Sequence, residues 1–169
     1  MKKLTLILIA ITASKLAKAD LDIKGIEVDK PANCQYISSL EVRQGTFVDS
    51  CSAKRKNWMS RISFLNGQSD IFFTQTSEGV IQSVLVSSFD FNFALTSLEA
   101  KFGKPEILNT AIQNRMGAKF DQVEAIWRDG EKTLSLSRHG VEIGKPVLIL
   151  SGAESSKEIK SKNKPSTNL

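Results

Sequence analysis

The sequence predicts an α+β protein, with an antiparallel sheet built from two three-stranded meanders and helices packed on one face. Three observations predict it. Strand-like alternation runs through 58–64 and returns over 123–128 and 132–138, the period of strands with one buried face. Asn66-Gly67 and Asp129-Gly130 interrupt those runs, and such pairs favour tight hairpins because both residues tolerate positive φ. Between the two runs, Phe91, Leu95, Leu98 and Phe102 recur at the spacing of one helical stripe.

The elements follow in chain order. Met1-Lys2-Lys3, an apolar run over 4–13 and Ala17-Lys18-Ala19 ahead of Asp20 have the layout of a secretory signal peptide. A helix that short spans about half of a hydrocarbon core of about 30 Å. The chain is therefore expected to be exported to a periplasm or beyond, with cleavage after Ala19, and not to span a membrane. Residues 31–40 read as a short helix. Trp58, Ile62 and Phe64 then alternate with Met59, Arg61 and Ser63 up to the Asn66-Gly67 turn. A second strand follows at 69–74, and Ser77-Glu78-Gly79 punctuates the chain before a β-branched third strand at 80–87.

Asp90 is placed to cap the helix that starts at Phe91, Gly103 offers its left-handed C-terminal position, and Pro105 prevents continuation. A looser stretch contains Asn109, Asn114 and Gly117. Val123, Ala125 and Trp127 then alternate with Glu124, Ile126 and Arg128; residues 132–138 continue beyond Asp129-Gly130; His139-Gly140 turns again; 146–150 is a last apolar strand. One domain over 20–150 is expected, with a polar, disordered tail over 151–169. The turn pairs are offset by about 60 residues, so halves 20–88 and 89–150 read equally as a tandem helix-meander repeat or as one unrepeated sandwich.

Charge restricts the function. The formal net charge of +5 falls to +1 when Lys2, Lys3, Lys15 and Lys18 leave with the signal, and the tail carries +2 of its own. A body that is close to neutral lacks the basic footprint of a nucleic-acid binder. Cys34 and Cys51 are the only cysteines, and in an oxidising compartment such a pair is most simply a disulfide, worth about 3 kcal/mol. The competing reading is a thiol nucleophile, Cys51 activated by Lys54-Arg55-Lys56 with His139 as base.

Catalytic constellations are otherwise thin. His139, the single histidine, reads as a turn residue. Asp121 with Glu124, or Asp129 with Glu131, are candidate acid-base pairs for cleaving wall glycan. No catalytic residue, cofactor or metal is assigned. The stronger lead for binding is Lys54-Arg55-Lys56-Asn57-Trp58 with Arg61, cations beside an aromatic that suit an acidic partner surface. Against it stands a solvated loop with Trp58 turned into the core.

Phe102-Gly103-Lys104-Pro105 at a helix end, followed by a meander with a Trp before its turn, resembles small envelope modules of the SmpA/OmlA type. The tandem arrangement is similar to the β-lactamase-inhibitor-protein fold. The leader has no lipobox cysteine, unlike outer-membrane members of the first family, and no inhibitory loop of the second maps onto this chain. The resemblance implies a non-catalytic module that binds a protein or wall component in the periplasm. The leading expectation is a binding module, monomeric in the simplest case, for an envelope or extracellular protein, as an inhibitor or regulator. The alternatives are an accessory factor of an envelope secretion or transfer machine, and a small wall-active hydrolase or thiol enzyme.

Overall fold

Asp90 and Gly103 bound the element that the sequence specifies most fully. In the structure, a computed structural model that describes residues 20–41, 57–153 and 155, the Asp90 carboxylate accepts the Phe93 N–H at 2.7 Å and Gly103 takes φ 82°. The helix between them spans Phe91–Phe102 and buries Phe91, Ala94, Leu98 and Phe102. It is α2. A shorter helix α1 at Cys34–Leu40 starts from Asn33, whose side chain accepts the Tyr36 N–H, and buries Ile37.

Among the described residues, seven strands form one open antiparallel sheet: β1 (Asn57–Phe64), β2 (Gly67–Gln75), β3 (Ile81–Ser87), β4 (Glu106–Gln113), β5 (Lys119–Asp129), β6 (Lys132–Ser137) and β7 (Val147–Ser151), in the spatial order β1-β2-β3-β7-β6-β5-β4. The α+β class therefore holds. The first meander has three strands, as expected, but the second has four, because the stretch around Asn109 that read as loose is β4. Seven of its eight residues are exposed, so it never develops the alternation by which a half-buried strand is recognised.

Both hairpins lie one residue away from where the dipeptides place them. Phe64 pairs with Gly67, so Leu65 and Asn66 form the loop, with φ 46° and 52°. Two positive φ values define a type I′ turn. Gly67 is already in β2. Asp129 pairs with Lys132, leaving Gly130-Glu131 as the loop with positive φ only at Gly130.

Register turns the alternation into a core. Trp58, Phe73, Val84, Leu150, Leu134 and Trp127 form one row across six strands, each directly opposite the next, and all are buried. Ile71, Val86, Leu148, Leu136 and Ala125 make the adjacent row. Ile37 of α1 and the buried residues of α2 belong to the same apolar cluster, so both helices cover this face.

The segment ahead of α1 completes the cluster. Leu21, Ile23, Ile26 and Val28 are each at most 3% exposed, arranged around a Lys24-Gly25 turn in which Ile23 and Ile26 exchange backbone hydrogen bonds. Asp22 reaches Lys101 of α2 at 2.6 Å. The expected signal peptide lies outside the described residues, as does most of the tail expected over 151–169; Ser151 belongs to β7, and 152, 153 and 155 are also described. No helix among those described is long and apolar enough to cross a membrane.

Candidate functional site

Strand geometry separates residues that the sequence groups together. Trp58 and Arg61 both lie on β1, but three residues apart on a strand means opposite faces. Trp58 is 3% exposed and stacks on Phe73 with ring centroids 3.7 Å apart. It is a core residue, which corrects the reading that placed it beside cations on a binding surface. Arg61 points to the opposite, outer face and donates from Nε to Asp70 at 2.8 Å. That hydrogen bond, together with the carboxylate charge, raises the guanidinium pKa above its ordinary value. Lys54, Arg55, Lys56 and Cys51 lie outside the described residues. Cys34 is half-buried, and no cysteine among the described residues is a free thiol.

The candidate acid-base pairs do not converge. Asp121 and Glu124 are also three apart on one strand and take opposite faces of β5, while Asp129 and Glu131 flank and occupy a hairpin loop. His139 is a loop organiser: its backbone N–H and C=O are both held by the Gln122 side chain, at 3.0 and 2.8 Å, and its Nδ1 accepts the Gly144 N–H at 2.9 Å. No group of three or more potential metal ligands occurs among the described residues.

A concave surface lies on the outer face of the sheet. Ile71-Phe72-Phe73 makes β2 apolar on both faces; Ile71 and Phe73 fill the core, leaving Phe72 42% exposed on the other side. Leu85 of β3 is directly opposite it. The β6–β7 connection folds against this pair. Gly140 donates to the Lys145 carbonyl at 2.7 Å, and a β-carbon at Gly140 would press on Val147 at 3.0 Å. The result is a groove of about 540 Å³ lined by Phe72, Leu85, Val141, Pro146 and Val147.

Val141 is 101% exposed. Asp70, tied to Arg61, stands on one rim, and Glu142 and Lys145, 2.7 Å apart, stand on the other. Such a surface holds an apolar side chain by desolvation and orients it through the rim charges. Of the sequence-predicted binding residues that are described, Arg61 reaches its rim through Asp70, and Trp58 does not line it. Sequence reasoning missed the groove, and its available signal was the uninterrupted apolar triplet at 71–73, since a strand with one buried face alternates. No family model, curated protein or solved structure matches the chain.

Proposed function

We propose that this chain is a non-catalytic binding module of the periplasm or extracellular space that holds an apolar segment of a protein partner in the outer-face groove. The observation that carries this reading is Phe72, 42% exposed in mid-sheet opposite Leu85, with Val141 fully exposed beside it. Leaving large apolar groups in water on a surface rimmed by charges is what a docking site requires. The Lys54-Arg55-Lys56 run supplies a second, electrostatic contact with an acidic partner, and inhibition or regulation of that partner is the activity such a module performs.

The same reading includes export with cleavage after Ala19 and a Cys34–Cys51 disulfide, for which the engaged state of Cys34 is supporting. A tandem helix-meander origin, in the manner of the envelope modules that the Phe-Gly-Lys-Pro segment resembles, is supported by the strand order. Read inward from each side, β1-β2-β3 is matched by β5-β6-β7, and β3 pairs with β7.

The test is affinity capture from envelope extract with the parent chain, Phe72→Asp, and a Lys54/Arg55/Lys56→Glu triple variant. The proposal expects a protein retained by the parent, lost with Phe72→Asp, and weakened by the triple variant to a degree that shrinks at high salt. Retention that is indifferent to Phe72→Asp places the interface elsewhere.

A further inference from the structure

The two edges of the sheet differ. At one end, β1 carries an additional bridge between Ile62 and Glu41, and the Ser60 hydroxyl donates to the Glu41 carboxylate at 2.8 Å. At the other end, no described strand pairs with the outer side of β4. The usual protections of an edge are absent from β4 itself. Glu-Ile-Leu-Asn-Thr-Ala-Ile-Gln contains no proline and no lysine, and its pairing with β5 runs from Glu106↔Ile126 to Gln113↔Lys119 without a bulge. An edge of this kind is a template for another strand.

Hydrogen-bond parity identifies which groups it offers. Val123 accepts from Arg138 on the β6 side, so odd-numbered residues of β5 face β6 and even-numbered ones face β4. Asn114, which donates to Ala118, gives the same parity from the turn. The N–H and C=O groups of Ile107, Asn109, Ala111 and Gln113 therefore point away from the sheet.

We infer that β4 is a self-association edge, on which a second copy of this chain adds its own β4 antiparallel, about a two-fold axis through Thr110 and normal to the sheet. In this register Ile107 pairs with Gln113 and Asn109 with Ala111, each twice by symmetry, and every such pair exchanges two hydrogen bonds. Leu108, 40% exposed, faces Ile112 of the second copy on the outer face, and Thr110 faces Thr110. Apolar and Thr–Thr pairs are favourable cross-strand neighbours. Arg115, in the turn after β4, comes alongside Glu106 of the second copy, so opposite charges meet at both ends. Shifting the centre to Asn109 loses one hydrogen-bonded pair and sets Ile112 against Glu106. The axis keeps both core faces on one side, so the two sheets merge into one while the outer-face groove, at β2 and β3, stays open.

Self-facing Thr110 makes the register testable. The full chain, expressed from Met1 and purified as export leaves it, is followed by sedimentation over roughly a hundredfold range of concentration, beside Thr110→Lys, Thr110→Glu and their equal mixture. The parent is expected to rise from one chain mass toward two. Each charged variant weakens association by about tenfold or more, because it sets like charges directly opposite each other, and mixing the two restores it. As an independent readout, Thr110→Cys gives a disulfide-linked dimer on mild oxidation, and Ile107→Cys, opposite Gln113, does not. A single chain mass throughout, a dimer that Thr110→Lys leaves unchanged, or linkage from position 107 but not 110 overturns the inference.

Discussion

The carboxylate of Asp29 accepts the N–H of Ala153 at 3.0 Å, joining the start of the folded chain to the residues just beyond β7 across 124 positions of sequence. Asp29 holds this geometry with φ 62°, and a β-carbon on the adjacent Gly152 would overlap its carboxyl group. Asp29→Ala is expected to cost about 1–2 kcal/mol, through the lost acceptor. Gly152→Ala is expected to cost a similar amount by expelling the carboxylate. The double variant costs less than the sum, since removing the carboxyl makes room for the new methyl. A denaturant-based double-mutant cycle checks this; strict additivity contradicts it.

The two tryptophans at the ends of the central core row differ in their hydrogen bonding. Trp127 Nε1 donates to the Gly103 carbonyl at 2.7 Å, fastening the end of α2 to β5, whereas the buried Trp58 Nε1 has no hydrogen-bond partner among the described residues. Trp127→Phe leaves that carbonyl short of a donor and is expected to cost about 2 kcal/mol or more. Trp58→Phe removes an unsatisfied donor and keeps a ring against Phe73, so its cost is expected to be smaller by about 1 kcal/mol. Equal shifts in the urea midpoint count against this assignment.

Gly67 and Gly130 look alike in the sequence and behave differently in the fold. Gly67 lies within β2 at ordinary φ, with open space where a β-carbon would go, while Gly130 sits at φ 58°. Gly67→Ala is expected to be neutral or stabilising by up to about 1 kcal/mol, and Gly130→Ala to cost about 1–2 kcal/mol because the left-handed region crowds a β-carbon. Thermal unfolding of the two variants separates them.

These glycines mark how far the sequence is legible. Caps and stripe define α2 because each is a local device, with Asp90, Gly103 and the four buried residues all within the element. The alternating strands are legible because one face is buried. The turn at Leu65-Asn66 was displaced by one residue because Asn-Gly is favoured in the loop itself, whereas strand register settles which two residues occupy it, and register depends on the far strand. β4 was missed because exposed residues carry no burial pattern. The segment with Leu21, Ile23, Ile26 and Val28 did carry one, apolar residues alternating on either side of Lys24-Gly25. The groove depends on β3 and the β6–β7 loop meeting β2, which no local window contains.

Glu78 gives a pH-dependent signal from the turn before β3. Its carboxylate is held below the ordinary glutamate range, first by a hydrogen bond from the Ser77 hydroxyl at 2.7 Å and then by one from Thr76. A depressed folded pKa contributes stability that is present above the unfolded value and lost as pH falls through the folded one. The side-chain carboxyl resonance is expected to titrate at lower pH than in an unfolded peptide, and Ser77→Ala to move the midpoint upward. A midpoint unmoved by that substitution contradicts the assigned cause.

Protein docking on the outer face is tested most directly by site-specific photocrosslinking in the producing cell, with a photoreactive side chain placed in turn at Phe72, Val141, Gln68 and Asn92. The account predicts one common protein adduct from positions 72 and 141, and none from the exposed positions 68 and 92. Adducts from 68 or 92 with none from 72 and 141 would contradict it.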